Sequence, residues 1–270
     1  MNNAPIGVFD SGLGGLTAVR ELRNVLPNEN IIYFGDTGRV PYGTRSNSTI
    51  KRYAMQDAKF LLKHKVKMII AACGTVSSVA TNLKNDLPVP YTGVVSPTCF
   101  AAAKATKNKK IGVIGTSATI HSHSYRDMLK KFDSDIEVIE QDCPLFVPLV
   151  ESGFIDKDDE VVRLVIERYM NHIKGAGVDT VILGCTHYPI IKEAISCVMG
   201  EEVTLIDSGK ETAIYAAKIL KENNLLTGRT YKGESEFYVS DTPDGFESVA
   251  GVFLGENVSH SVEQINIELY

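Results

Sequence analysis

KMIIAACGT (residues 67–75) and TVILGCTH (residues 180–187) decide the fold of this chain, because each is an apolar run that ends in a cysteine. Continuous apolar runs of this length are typical of strands that are buried on both faces of a parallel sheet. Ligands of α/β folds bind at the carboxyl ends of such strands. Cys73 and Cys185 therefore predict two lobes that each offer one thiol to a shared cleft.

Predicted strands and helices alternate along the rest of the chain, which indicates an α/β fold with mostly parallel sheets. We expect two similar lobes, each with a mostly parallel sheet flanked by helices, and an active site in the cleft between them. The first lobe is predicted to comprise residues 1–96 and 208–270, and the second residues 97–207. We place a strand at 92–97 before the crossover, a loop at 143–153, and a last strand at 235–241.

The composition excludes several classes of function. The chain has 270 residues, of which 44% are hydrophobic and 23% charged, as is ordinary for a soluble globular protein. A net charge of −5 leaves no basic excess to neutralise phosphates, which argues against nucleic-acid and anionic-membrane partners. The amino terminus carries no targeting signal, and no run approaches the roughly 20 apolar residues of a membrane helix. We expect a soluble, cytoplasmic protein.

The five cysteines are an odd number and thinly spread, which favours reduced cytosolic thiols over a disulfide framework. Cys99, Cys143 and Cys197 fall in apolar or helical patterns and are interpreted as buried small hydrophobic residues. His121 and His123 have a spacing that suits a metal on a strand, but no third ligand accompanies them, so solvated residues at a helix start are favoured. No metal site is predicted.

Polar residues follow several predicted strands. Asp10 and Ser11 begin a glycine-rich turn, DSGLGGL (10–16), which matches neither a P-loop nor a dinucleotide fingerprint. This turn either binds a polar ligand or caps the next helix. Tyr42 lies in a Pro-Tyr-Gly turn and either contacts a ligand or covers the core edge. Further along the chain, the hydroxyls of residues 116, 117 and 119 either cap a helix or hold a carboxylate.

Two separated thiols suit one chemistry better than others. A papain-like protease leaves the second cysteine unused, and a redox disulfide requires two thiols within bonding reach. Inversion of a carbon stereocentre, in contrast, needs a base on one face and an acid on the other. Cys73 precedes a predicted helix, whose amino terminus is expected to lower the thiol pKa toward neutrality. Asp10 and His187 either tune the two thiols or have structural roles.

The sequence resembles the glutamate racemases of the cofactor-independent aspartate/glutamate racemase superfamily. The matching pieces are GVFDSGLGGLTAVREL (7–22), YFGDTGRVPYGTRS (33–46), AACGT (71–75), GVVSP (93–97), GTSATIHS (115–122), CPLFVPLVESG (143–153) and LGCTHYPII (183–191). The resemblance implies a two-lobed enzyme that interconverts L- and D-glutamate without a cofactor or a metal and supplies D-glutamate for peptidoglycan. It also leads us to expect a homodimer.

Residue roles follow from the resemblance by position. Cys73 and Cys185 are implied to be the acid/base pair, and Asp10, Glu151 and His187 to assist proton transfer. The implied substrate-binding residues are Asp10, Ser11, Pro41, Tyr42, Gly43, Gly74, Thr75, Thr116, Thr119, Thr186 and His187.

One departure concerns Gly74, because the family usually has Asn there and an Asn amide would hydrogen-bond the substrate. Losing such a bond costs on the order of 1 kcal/mol, which bears on substrate affinity and choice. Aspartate racemase of the same superfamily remains an alternative, since one methylene is worth only about 1–3 kcal/mol in a pocket. A silent amino-acid-binding homologue and a metal or disulfide redox protein are the alternatives from other classes.

Overall fold

The computed structural model of the chain describes residues 1–244, 246–255 and 262–270. The strands are β1 (Ile6–Asp10), β2 (Ile31–Gly35), β3 (Met68–Ala71), β4 (Tyr91–Gly93), β5 (Lys110–Gly115), β6 (Glu137–Asp142), β7 (Thr180–Leu183), β8 (Thr204–Asp207), β9 (Ser235–Val239) and β10 (Val262–Gln264). They form one sheet in the order β10-β9-β2-β1-β3-β4 and another in the order β6-β5-β7-β8. All of the described strand pairs are parallel, as the sequence predicts.

Helices cover both sheets. They are α1 (Leu16–Val25), α2 (Asn47–Lys63), α3 (Gly74–Val79), α4 (Val95–Ala105), α5 (Ser117–His121), α6 (Ser124–Phe132), α7 (Phe146–Glu151), α8 (Glu160–Gly175), α9 (Lys192–Met199), α10 (Ser208–Glu222) and α11 (Phe246–Leu254). None of the helices in the described ranges is long and apolar enough to cross a membrane. The two lobes and their parallel sheets agree with the predicted fold class.

The central strands are continuous apolar segments because helices cover both of their faces. Every residue of β1, β2, β3 and β7 is buried. One hydrophobic core extends from β1 and α1 of the first lobe to β7 and α8 of the second. Because this core is shared, the two lobes pack as one structure around their common cleft.

Strand register brings the functional segments together. Phe9 pairs with Ala71, so Asp10 and Cys73 leave neighbouring strands at the same edge of the first sheet. In the second sheet Ile114 pairs with Leu183, which places Thr116 beside Cys185 at the corresponding edge. Parallel pairing thus gathers residues from distant parts of the sequence at the carboxyl ends of the strands.

Three predicted segments differ from the structure. The strand expected at 92–97 ends at Gly93, and helix α4 includes Pro97, since the first turn of a helix does not need the missing N–H donor. The segment at 143–153, predicted as a loop, contains helix α7, in which Pro148 likewise lies within the first turn. The last predicted strand is followed by α11 and β10, which the sequence analysis missed.

The boundaries between the lobes stay a prediction. Strands within residues 6–93 and 235–264 form the first sheet, and strands within residues 110–207 form the second. This division is compatible with lobes of residues 1–96 plus 208–270 and 97–207. Residues 245 and 256–261 of the first-lobe prediction lie outside the described residues.

Candidate active site

A cavity of about 310 Å³ lies between the carboxyl ends of the strands of the two sheets. Both predicted acid/base cysteines line it, one from each lobe. The other predicted site residues that line it are Ser11, Pro41, Tyr42, Gly43, Gly74, Thr75, Thr116, Glu151, Thr186 and His187. The structure therefore brings nearly all of the predicted site residues around one space.

Two predicted site residues lie behind the lining instead of in it. Asp10 and Thr119 are both 1% exposed, and neither side chain contributes to the cavity wall. Thr119 contacts the wall indirectly, because its hydroxyl lies 3.0 Å from the Thr116 hydroxyl. Thr116 also caps α5 by accepting from the Thr119 N–H, so the predicted cap is present.

The sequence analysis missed part of the wall. Its members are mostly apolar and come from the loop before Pro41 and from the segment that leads into and begins helix α7: Val40, Pro144, Val147 and Pro148. Cys143, interpreted as a buried hydrophobic residue, is indeed buried but also lines the cavity. The only signal was their adjacency in sequence to Pro41 and Glu151.

Cys73 lies at the end of β3 and forms the amino-terminal cap of α3. Its side chain is nearly completely buried, and Sγ donates to Ser11 Oγ over 3.5 Å. Burial raises the pKa of Cys73 to about 12, and the neighbouring charge of Asp10 adds to this effect. The expected lowering of the pKa by the helix terminus is therefore wrong, because desolvation of the thiolate outweighs it.

Cys185 follows β7 and has a different neighbour. Its Sγ lies 3.8 Å from His187 Nδ1, and His187 Nε2 lies 3.0 Å from Glu151 Oε1. Burial disfavours the imidazolium, but hydrogen bonds with Cys185 and Glu151 overcome this and raise the pKa of His187 to about 10. Glu151, at the end of α7, is half-exposed, so these contacts connect Cys185 with solvent.

Asp10 organises the glycine-rich turn. Its Oδ2 accepts from the Gly15 N–H at 2.9 Å and from the Gly12 N–H at 3.3 Å, while Oδ1 is buried without a partner among the described residues. Burial raises the pKa of Asp10, although the charge of His187 opposes this shift. The turn is thus held in place from behind by Asp10, and Ser11 is presented to the cavity.

Hydroxyl groups from both lobes meet in the wall. Thr75 Oγ1, from the first lobe, lies 3.1 Å from Thr116 Oγ1 of the second. No Lys or Arg is found among the described residues that line the cavity. An anionic group in this cavity would therefore be recognised by hydroxyl and backbone N–H donors, with His187 as the cationic side chain.

Two glycines of the first lobe allow close contact with the loop that carries Cys185. A Cβ atom at Gly74 would lie 2.3 Å from the carbonyl oxygen of Gly184, the residue before Cys185. A Cβ at Gly14 would lie 2.3 Å from Thr186 Oγ1. Real Cβ atoms do not approach other atoms this closely, so an Asn at position 74 does not fit the present backbone.

Other cysteine and histidine residues lie away from the cavity. Cys99 is buried as predicted, whereas Cys197 is exposed on α9, which corrects its interpretation as a buried residue. His121 and His123 are exposed, and His123 contacts Glu140 at 2.9 Å. Within the described ranges, no three His, Cys, Asp or Glu side chains are grouped so that they could hold a metal ion.

Comparisons with known proteins agree with this geometry. The sequence model of the Asp/Glu/Hydantoin racemase family matches residues 17–216. The chain is 44% identical over 264 residues to a glutamate racemase of Geobacter metallireducens, covering 97% of each chain. It is also similar to the crystal structure of a Francisella tularensis glutamate racemase in complex with D-glutamate, with a TM-score of 0.92, 40% identity and coverage of 100% of each chain. A Thermus thermophilus glutamate racemase in complex with β-chloro-D-alanine gives a TM-score of 0.88 at 42% identity, over 99% of each chain.

Proposed function

The chain belongs to the glutamate racemases of the Asp/Glu/hydantoin racemase family, and we propose that it interconverts L- and D-glutamate in the cavity between its lobes. The observation that carries this proposal is the placement of Cys73 and Cys185, from different lobes, in the wall of one small cavity. They are also close enough for charge on Cys185 to raise the pKa of Cys73. Two thiols on opposite sides of a bound amino acid can reach the two faces of its Cα.

The reaction requires one cysteine as thiolate and the other as thiol. The thiolate removes the proton from Cα, so that the C–H bond breaks and an S–H bond forms. The opposite thiol then gives its proton to the other face of the carbanion and becomes the thiolate. The product is the enantiomer, and the two sulfurs have exchanged protonation states.

The surroundings support an assignment of the starting states. The Cys185 sulfur faces the imidazole ring of His187, which Glu151 contacts from the other side. Cys73 keeps its proton at neutral pH because burial raises its pKa to about 12. We propose that Cys73 is protonated in the unliganded enzyme, and that Glu151 and His187 move protons between Cys185 and solvent.

Substrate carboxylates are proposed to bind the hydroxyls and backbone N–H groups of the wall. Thr75 and Thr116 are paired across the cleft, so a carboxylate bridging them contacts both lobes at once. Tyr42, Gly43 and Ser11 also line the cavity, and Ser11 contacts Cys73. Such hydrogen bonds to a charged acceptor are worth about 1.5–3 kcal/mol each, which is sufficient for a site without Lys or Arg.

The cellular role is proposed from the reaction. D-glutamate is a building block of peptidoglycan, so the enzyme would supply it for cell-wall synthesis in the cytoplasm. The five free cysteines are compatible with that reducing compartment. We also propose a homodimer, supported by the half-exposed apolar side chains of Phe100, Phe132 and Ile214 around one groove. Sedimentation velocity that shows only monomers would contradict this assembly.

The function is tested by incorporation of solvent deuterium at Cα, followed by proton NMR in D₂O without any added cofactor. With D-glutamate we expect deuterium in the product together with optical inversion, because the delivered proton comes from a thiol that exchanges with solvent. D-aspartate serves as the matched substrate, which is shorter by one methylene. Deuterium exchange with aspartate alone would show that aspartate is the substrate instead of glutamate. No exchange with either amino acid would overturn the proposed activity.

A further inference from the structure

A buried polar network lies behind the Pro-Tyr-Gly turn, outside the cavity. Asp36 and Asp57 are both fully buried, and the Tyr42 hydroxyl touches one carboxyl oxygen of each. Arg39 approaches the same two carboxyl groups, with Nε 2.6 Å from Asp36 Oδ2 and Nη2 3.2 Å from Asp57 Oδ1. Ser240, at the end of β9, donates to Asp36 Oδ1 at 2.7 Å.

This network has too few hydrogen-bond donors for all of its close contacts if both carboxyl groups are ionised. The Tyr42 hydroxyl has a single proton, and its closer contact is with Asp36. Asp36 also accepts from Arg39 and Ser240, so its two oxygens are satisfied as a carboxylate. The 3.1 Å contact between Tyr42 Oη and Asp57 Oδ2 is then favourable only if Asp57 carries a proton and donates it to Tyr42.

The Tyr42–Thr44 turn connects this network with the proposed active site. The turn forms part of the cavity wall, and Tyr42 itself is 1% exposed. Gly43 packs on Thr116 of the second lobe so closely that a Cβ at Gly43 would lie 3.3 Å from Thr116 Cβ. A displacement of Tyr42 would therefore alter both the wall and a contact between the lobes.

We propose that Asp57 is a positioning residue, which donates a hydrogen bond to Tyr42 and thereby fixes the Tyr42–Thr44 turn in the wall of the cavity. Asp57 does not line the cavity, so it acts on substrate binding through Tyr42. Its carboxyl oxygens are divided between two tasks, since Oδ2 donates to Tyr42 and Oδ1 accepts from Arg39. A side chain with one donor and one acceptor in these positions is what the turn requires.

The charges around Asp57 support its neutral state. Burial raises the pKa of Asp57 well above its ordinary value, and the Asp36 carboxylate raises it further. Arg39 and the hydrogen bond with Tyr42 oppose the shift, while Asp10, from the end of β1, adds a smaller effect in the same direction as Asp36. Arg39 is also within 3.3 Å of the exposed Glu268, so its positive charge is shared among three acidic groups.

The first test measures the protonation state directly and does not depend on catalysis. The protein is labelled with ¹³C at the aspartate side-chain carboxyl carbons, and the Asp57 signal is assigned by its loss in Asp57→Asn. We expect the Asp57 signal at the chemical shift of a protonated carboxyl group throughout the neutral pH range. A chemical shift of an ionised carboxylate at neutral pH would overturn the proposal, whatever the enzyme's activity.

The second test uses kinetics and rests on the proposed racemase function. Asn supplies an N–H donor to Tyr42 and a carbonyl acceptor to Arg39, so Asp57→Asn should keep KM within about threefold of wild type. Asp57→Ala loses both groups and should raise KM for glutamate by about tenfold, which is the scale of one hydrogen bond, with kcat changed less. Equal impairment of the Asn and Ala variants would contradict a donor role.

Two controls separate positioning from general destabilisation. Glu268→Gln removes the exposed partner of Arg39 and should leave KM and kcat within about twofold, since exposed ion pairs contribute little. The melting temperature of each variant shows whether a KM change accompanies a loss of fold. If Asp57→Ala does not fold, the ¹³C titration of the wild-type protein still decides the proposal.

Discussion

The two halves of the proposed active site hold the same chemical group in different surroundings. Cys73 is paired with a neutral hydroxyl, Ser11, and burial raises its pKa to about 12. Cys185 is paired with His187, a group whose pKa is raised to about 10 by Cys185 and Glu151. Burial beside the Ser11 hydroxyl keeps the proton on Cys73, whereas Cys185 has an ionisable neighbour. The neighbours of the two thiols, and not the thiols themselves, therefore make the two half-sites chemically different.

Removal of either thiol is expected to have the largest effect on racemisation. Cys73→Ala and Cys185→Ala should each lower the racemisation rate by at least about 10³-fold, within the range that acid/base groups contribute. Neither loss should be compensated by the other cysteine, because inversion needs a proton donor on one face and an acceptor on the other. The measurement is the change in optical rotation of D-glutamate with purified protein.

Cys197→Ala is the matched control, because Cys197 is an exposed cysteine on α9 away from the cavity. It should keep wild-type activity. If inversion continues after either cavity cysteine is removed, the two-thiol mechanism is wrong. The different surroundings of the two thiols would then have no bearing on catalysis.

Gly74 tests how closely the half-sites must meet. Adding a Cβ places it 2.3 Å from the Gly184 carbonyl oxygen, so Gly74→Ala and Gly74→Asn must push the cysteine loops apart. Overpacking of this kind costs about 1–3 kcal/mol, and we expect kcat/KM to fall by about tenfold to a hundredfold. Steady-state kinetics and thermal melting together measure the effect.

Gly74→Asn introduces the residue that the family usually has at this position. Improved substrate affinity in Gly74→Asn would contradict the expected overpacking, because it would mean that the loops separate easily and that the amide contacts the substrate. Gly175, at the end of α8, has no atoms within 4 Å of an added Cβ. Gly175→Ala should therefore leave kcat/KM unchanged.

The smallest expected effects distinguish the partners of the two thiols. Glu151→Gln removes the carboxylate that holds the His187 imidazolium and should lower kcat by about tenfold, the scale of a charged hydrogen bond. Ser11→Ala removes a weak contact of 3.5 Å with Cys73 and should lower kcat by about threefold or less. Equal effects of the two substitutions, measured side by side, would contradict the asymmetry of the half-sites.

The same Glu151 variant gives a pH test. The pKa of His187 is raised from 6.5 to about 10 on folding, so its contribution to stability is fully present below about pH 6.5 and is lost as pH rises through about 10. In Glu151→Gln the folded-state pKa should be lower, so the loss should be smaller and complete at a lower pH. Urea midpoints of both proteins over this range measure the difference, and parallel curves would show that Glu151 does not act on His187.

Several parts of the molecule could be predicted from the sequence because they depend on local pattern. The apolar runs before Cys73 and Cys185 indicated buried parallel strands, and the polar residues that follow them marked the wall of the cavity. The errors were also local in origin. Residues 92–97 were predicted as a strand and residues 143–153 as a loop, although Pro97 and Pro148 each lie in the first turn of a helix.

The pKa of Cys73 shows where local reasoning fails. Its position before α3 was predicted correctly, and that position alone favours the thiolate. The opposite direction of the shift comes from burial, which depends on atoms contributed by the rest of the fold. Gly74 is a second case, since the sequence presents only a missing amide and the structure shows a backbone contact with Gly184.

The fold class, the family and the two cysteines could be recognised in the sequence, because they follow from patterns within short segments and from matching motifs. The folded structure was needed to show which of these residues face the cavity, which lie behind it, and which side chains contact each thiol. Asp57 illustrates this division, since it is an unremarked helix residue in the sequence and a fully buried neighbour of Tyr42 in the fold. The burial and the electrostatic interactions of a residue depend on its neighbours in the fold. Contacts between segments that are distant in the sequence bring these neighbours together.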